Sequence, residues 1–175
     1  TDPGYGIIWN YEGNKAEFEL PTNVYRIAPD DGGLSVVTSD LEKPNGLCFS
    51  PDYSKLYISD TGVTHKAGHP RTIEVFDVNS GQSLANRQVF FDLGDAMPDG
   101  FRADIDGNIW TSAGWAGEGA DGVIILSPEA KRIGMIHTPE PVSNLCFGGA
   151  KRNRLFITAG QSLYSLYTDA QGVSY

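Results

Sequence analysis

Two short stretches, "KPNGLCFS" at 43–50 and "MPDGFRAD" at 97–104, share one skeleton: Pro, then Asn or Asp, then Gly, then an apolar residue opening a strand. Each sets an oxygen-bearing side chain, Asn45 or Asp99, at the same step. Singly, Asn-Gly and Asp-Gly are turns, because both residue types tolerate φ > 0 beside glycine. Paired at one phase of a structural repeat, they bring an amide and a carboxylate to one point. Oxygen donors of this kind suit a hard cation such as Ca²⁺. Such a cation can polarise a carbonyl, and a nearby carboxylate can deprotonate water.

The repeat that must position them runs along the chain. "NGLCFSPDYSKLYISDTG" from Asn45, "DGFRADIDGNIWTSAG" from Asp99 and "SNLCFGGAKRNRLFITAG" from Ser143 superimpose. Each is an apolar strand, a polar turn, and a second strand ending in a Gly-containing loop. Two further strands follow the first copy (72–78 and 87–93) and the second (122–128 and 132–138), while 162–168 begins the same continuation after the third. Four short strands recurring every ~40–50 residues mark propeller blades. An all-β propeller is therefore expected, with a sandwich as the competing arrangement. A single domain spans 1–175: the end of one blade in 1–41, blades at 47–93 and 101–138, and an incomplete last blade at 144–168. That is about three and a half blades, fewer than most rings hold. The ring is expected to be completed by upstream blades, and the opening Thr1 is consistent with something removed before it.

In an up-and-down blade the link into the innermost strand and the loop between the second and third strands share a face. Asn45 and Asp99 are then expected beside the axis, rimmed by "TDPGYGIIWN", by 62–71 and by 114–121. Those loops carry Tyr5, His65, His69, Arg71, Trp115 and Glu118, of which Tyr5, His65, His69, Arg71 and Trp115 are candidate substrate contacts. Tyr5 and Trp115 are suited to stack on an apolar ring face of a ligand, or equally to staple glycine-rich loops. His65 and His69 lie four apart, but the Gly and Pro around them argue against a helix aligning them as a metal pair.

Other motifs read as structure. "DTG" at 60–62 resembles an aspartic-protease step, but that chemistry needs two carboxylates sharing a proton, and one copy exists. "DIDGN" at 104–108 lacks the later acids of a calcium loop and reads as a hairpin turn. "KRNR" at 151–154 reads as a solvated turn, and His137 as structural. Cys48 and Cys146, each between Leu and Phe, read as buried free thiols.

Composition agrees with this picture. The chain has 175 residues, 40% hydrophobic, with 21 Gly, 10 Pro, 3 Trp, 8 Tyr and 8 Phe, the mixture of many strands joined by tight turns. A net charge of −9 repels phosphate backbones and anionic lipid, so neither nucleic acid nor a membrane is an expected partner. No apolar run approaches the ~18 residues of a membrane span. A soluble protein is expected, with cytoplasm and periplasm equally open.

The chain resembles the SMP-30/gluconolactonase family of six-bladed propeller lactonases, closest to bacterial gluconolactonase-type members. The resemblance rests on "TDPGYG", "NVYRIAP", "LEKPNGLCFSPDYSKLYISDTG", "DGFRADIDGNIWTSAGW" and "CFGGAKRNRLFITAG", in order. It implies one divalent cation, Ca²⁺ or else Zn²⁺, held on the axis by a Glu, one or two Asn and an Asp. Asn45 matches the Asn of the "PNG" motif. Asp99 matches the Asp of "PDG", which also serves as general base. The Glu and the earlier Asn belong to blades before Thr1, so this chain alone is expected to be inactive. The implied reaction opens a sugar lactone to its aldonic acid; an alternative account leaves Asp99 mainly a ligand, with the nucleophile generated on the metal. Other readings are an organophosphate or ester hydrolase on the same scaffold, and a propeller that binds ligands without catalysis.

Overall fold

The computed structural model describes residues 1–174 and is all-β apart from one turn of helix, α1 (Tyr5–Ile8), and a 3-10 turn at Gly62–Thr64. Four antiparallel sheets follow in chain order. The first pairs β1 (Val24–Ile27) with β2 (Leu34–Thr38). The second runs β3 (Pro44–Phe49), β4 (Lys55–Asp60), β5 (Thr72–Asn79) and β6 (Ser83–Asp92). The third runs β7 (Phe101–Ala103), β8 (Ile109–Ala113), β9 (Gly122–Leu126) and β10 (Arg132–His137). The last holds β11 (Val142–Gly148), β12 (Arg154–Ala159) and β13 (Ser162–Tyr167). Within each, consecutive strands are neighbours, so every connection is a hairpin.

The sheets stand side by side, with β3, β7 and β11 adjacent at the inner edge. One apolar core fills each gap between successive sheets. Val24, Leu56, Ile58 and Phe76 join the first sheet to the second. Cys48, Tyr57, Ile73, Phe101, Ile109 and Leu126 join the second to the third. Trp110, Val123, Leu145, Leu155 and Ile157 join the third to the last. The strand order explains the burial patterns. β8, central in its sheet and covered on both faces, is buried at all five positions, whereas the outer β10 leaves Arg132 and Ile133 exposed. The arc is open, and among the described residues no strand joins the last sheet to the first. No described helix is long and apolar enough to cross a membrane.

β3 and β11 start earlier than the apolar pattern suggests, because Pro44 pairs with Asp60 and Val142 with Ala159 across bulges. Cys48 is buried, but Cys146 is exposed, against expectation. Its neighbour Leu145 takes the core side, and alternation along β11 turns Cys146 to the open face of the last sheet. That face also presents Leu163 and Tyr167, 70% and 73% exposed.

Candidate active site

The two paired motifs meet, but not as turns. Asn45 and Gly46 lie within β3, at the bulge between Pro44 and Leu47, and Asp99-Gly100 leads directly into β7. None of these four residues has a positive φ. Their glycines are required by approach instead. A Cβ on Gly46 would sit 2.0 Å from the Asp99 carbonyl oxygen, and one on Gly100 would sit 2.2 Å from Asn144 Oδ1. The "NG" and "DG" pairs thus mark places where one inner strand is pressed against the next. A local turn rule could not have revealed this.

Hydroxyls at one repeat phase fasten these strands. Ser59 Oγ, fully buried, lies 3.2 Å from both the Gly46 and the Asp99 carbonyl oxygens. Ser112 Oγ accepts the Asp99 backbone N–H at 2.8 Å. In the last sheet Thr158 Oγ1 donates to the Asn144 carbonyl at 3.2 Å. Each is the penultimate residue of its sheet's second strand, so the phase of the repeat would have found them. Gly100 N–H also donates to the Ser143 carbonyl at 2.8 Å, bringing a third inner strand into line.

Two carboxylates near these loops play opposite parts. Asp60 is buried and accepts the backbone N–H groups of Glu42, Lys43 and Gly62 at 2.9–3.0 Å, clamping the approach to Asn45. It is a structural clamp, as the single "DTG" implied. The Asp99 carboxylate and the Asn45 amide have no side-chain hydrogen bond among the described residues. Burial, and to a smaller extent the negative charge of Glu12, push Asp99 up to about 6. Glu12 belongs to the N-terminal segment, which lies near this face. Sequence reading missed it, since the segment has no periodicity to place it.

The rim residues separate into two groups. Tyr5 and His65 come together: Tyr5 Oη lies 2.7 Å from Thr61 Oγ1 and 2.9 Å from Thr64 Oγ1, and His65 Nδ1 lies 2.7 Å from Thr64 Oγ1. The rings of Tyr5 and Trp9 flank His65 at 5.3 and 5.2 Å. Tyr5 therefore staples the N-terminal segment to the 61–64 turn. His69 and Arg71 are committed elsewhere. His69 Nδ1 lies 3.5 Å from Glu42 Oε2, and the Arg71 guanidinium donates to the carbonyls of Asp95 and, at 3.5 Å, Gly94. Trp115 has a φ of 62° and is 72% exposed, so most of its ring faces solvent. Glu118 is exposed on the same loop.

Residues 6–161 match the SMP-30/Gluconolactonase/LRE-like region family. The chain is 32% identical over 177 residues to a gluconolactonase of Zymomonas mobilis, covering 98% of this chain and 47% of that protein. A lactonohydrolase of Aspergillus oryzae is 29% identical, covering 90% of this chain and 36% of its own length. The solved structure of a gluconolactonase from Xanthomonas campestris superposes with a TM-score of 0.81 at 35% identity, covering 94% of this chain and 51% of that one. The chain thus spans about half, or less, of the length of these relatives. With its paired inner-strand motifs and a match over most of its length, this chain belongs to the SMP-30/gluconolactonase family.

Proposed function

We propose that the chain is part of a hydrolase that opens a gluconolactone-like sugar lactone to its aldonic acid, centred on Asn45 and Asp99. The observation that carries this reading is the backbone approach at Gly46, which sets two oxygen-bearing side chains without internal partners on adjoining strands. Relatives named gluconolactonase and lactonohydrolase support it.

Asn45 and Asp99 would hold one divalent cation, Ca²⁺ ahead of Zn²⁺, because an amide and a carboxylate oxygen are hard donors. When bound, that cation would polarise the lactone carbonyl and stabilise charge developing on its oxygen. Two donors are too few for either ion. Among the described residues no group of three His, Cys, Asp or Glu side chains could supply the rest. The remaining donors would come from upstream blades completing a six-bladed ring, and without them this chain would be inactive.

Asp99 takes a proton from the water whose oxygen attacks the lactone carbonyl carbon. The ring C–O bond then breaks, and its oxygen takes up a proton to leave the hydroxy acid. A carboxylate raised to about 6 is a stronger base than an ordinary one, yet stays largely ionised at neutral pH. A bound cation would draw it down again.

The test is proton release from gluconolactone at constant pH with Ca²⁺, Zn²⁺ or chelator, using protein that includes the upstream blades. Cation-dependent release, lost in Asp99→Asn, supports the reading. Spontaneous hydrolysis alone under every cation would sink it.

A further inference from the structure

The hydroxyl chain at the rim fixes more than the N-terminal segment. Five short contacts connect it: Thr61 Oγ1 to the Lys43 carbonyl at 3.3 Å, Tyr5 Oη to Thr61 Oγ1 at 2.7 Å, Tyr5 Oη to Thr64 Oγ1 at 2.9 Å, Thr64 Oγ1 to the Thr61 carbonyl at 2.8 Å, and Thr64 Oγ1 to His65 Nδ1 at 2.7 Å. Three hydroxyls bring three protons, and carbonyl oxygens bring none. Thr64 has one proton, and its 2.8 Å approach to the Thr61 carbonyl uses it, because two oxygens that close without a proton repel. Tyr5 then donates to Thr64 and Thr61 to Tyr5, so that only the longest of the five contacts, Thr61 Oγ1 to Lys43 at 3.3 Å, goes without a proton. The Thr64–His65 contact can then be filled only from the imidazole, as Nδ1–H donating to Thr64 Oγ1.

The tautomer of a histidine is set by the bond its first nitrogen makes. With the proton on Nδ1, Nε2 carries a lone pair. Among the described residues Nε2 has no partner, and the residue is exposed. The environment keeps the ring neutral: partial burial and then the Lys43 ammonium lower its proton affinity, against a smaller opposing effect from Glu12. The same hydroxyl chain reaches the inner-strand site, since Thr61 Oγ1 lies 3.3 Å from the carbonyl of Lys43, two residues before Asn45.

We propose that His65 is a specificity-determining residue of this site: the Tyr5–Thr61–Thr64 chain holds it as the Nδ1–H tautomer, and its Nε2 accepts a hydrogen bond from a hydroxyl of a polyhydroxylated ligand. The Tyr5 and Trp9 rings beside it restrict the approach. A sugar acid or lactone supplies such hydroxyls, and an unsubstituted lactone does not. The ligand class rests on the lactonase reading, whereas the tautomer stands apart from it.

The experiment is a long-range proton–nitrogen correlation spectrum of the protein with ¹⁵N-labelled histidine at pH 8, with His65 assigned by His65→Gln. A pyrrole-like Nδ1 and a pyridine-like Nε2 are expected, and Thr64→Val should shift the proton toward Nε2. A proton on Nε2 in the unmodified protein overturns the proposal. D-gluconate is then titrated to millimolar concentration as the probe. Movement of the Nε2 resonance, with affinity about tenfold weaker in His65→Ala, supports recognition, and an unmoved resonance overturns it. Failure of the lactonase reading would appear separately, as no catalysed proton release with the tautomer still in place.

Discussion

Asp99 and Asp104 lie five residues apart on either end of the same short strand and have opposite fates. Asp104, 1% exposed, accepts the backbone N–H groups of Asp106 and Asn108, the Asn108 amide and the Trp110 indole N–H, all at 2.9–3.0 Å. Its charge is fully answered, and its product is a hairpin turn. Asp99 is partly buried too, yet its carboxylate has no such donors among the described residues. Asp52, in the corresponding turn of the preceding sheet, repeats the first pattern: hydrogen bonds from Ser50 and Ser54 hold its carboxyl down at about 2. Even at Asp99's own end of the sheets Asp60 is saturated by backbone donors, and Asp99 alone of these four carboxylates is left without them. Folding would favour supplying those donors, and Asp99 is the exception that the proposed cation site would use.

The sharpest way to break this contrast is to exchange the two acids' roles. Asp99→Asn is expected to cut lactone opening by about 10²–10⁴-fold in the complete protein while the circular dichroism spectrum stays unchanged. Asp104→Ala should do the reverse, leaving the inner-strand site chemically intact but costing about 3 kcal/mol in denaturant unfolding, because an indole and two backbone N–H groups lose their acceptor. If Asp99→Asn destabilised the fold as much as Asp104→Ala, the distinction would fail.

Gly46→Ala should cost more than Gly100→Ala, by about 2 kcal/mol. The first new methyl meets backbone, whereas the second meets a side-chain amide that can turn away. Comparable melting temperatures for the two variants would refute the close-approach account of both glycines.

A smaller effect concerns pH. Asp99 is raised in the folded state, so its proton is held more tightly there than in the unfolded chain. The contribution is complete below the unfolded value near 4 and is lost as pH rises through about 6. Above that, the unmodified protein should be less stable than Asp99→Asn by about 1 kcal/mol after allowance for partial solvation. The gap should close below pH 4. A gap that stays constant between pH 4 and 7 would exclude ionisation as its source. Smallest of all, Ser59→Ala should cost about 1 kcal/mol, the value of an ordinary buried hydroxyl, while weakening catalysis through the positions of Asn45 and Asp99.

Strands were legible where alternation and repeat coincide. "TIEVFDV" became β5 and "GVIILSP" became β9, because apolar residues of β-forming type lie between clear turn signals. The likeness of the "PNG" and "PDG" stretches was legible too, but its cause was not. Both glycines answer to a neighbouring strand about fifty residues away, and a local rule sees only φ. Cys146 was misjudged for a related reason: a flanking Leu and Phe indicate a strand, not which of its faces is covered. Thr61, Thr64 and Glu12 left no trace in the sequence. Their roles depend on how the aperiodic N-terminal segment meets the loop after β4. The rim assignments divided accordingly, with Tyr5 and His65 in contact and His69 and Arg71 committed to bracing.

The one-core-per-gap packing also has a mechanical consequence. Each sheet shares apolar contacts only with the sheets before and after it, so cohesion along the arc is a chain of nearest-neighbour couplings. Amide exchange should be slowest in β8, which is covered on both faces, and faster toward β1–β2 and β13. A blade added at either end would lengthen the cooperative unit without redesign of its interior. Loosening one gap would divide the arc into two pieces, each still held by its own remaining couplings.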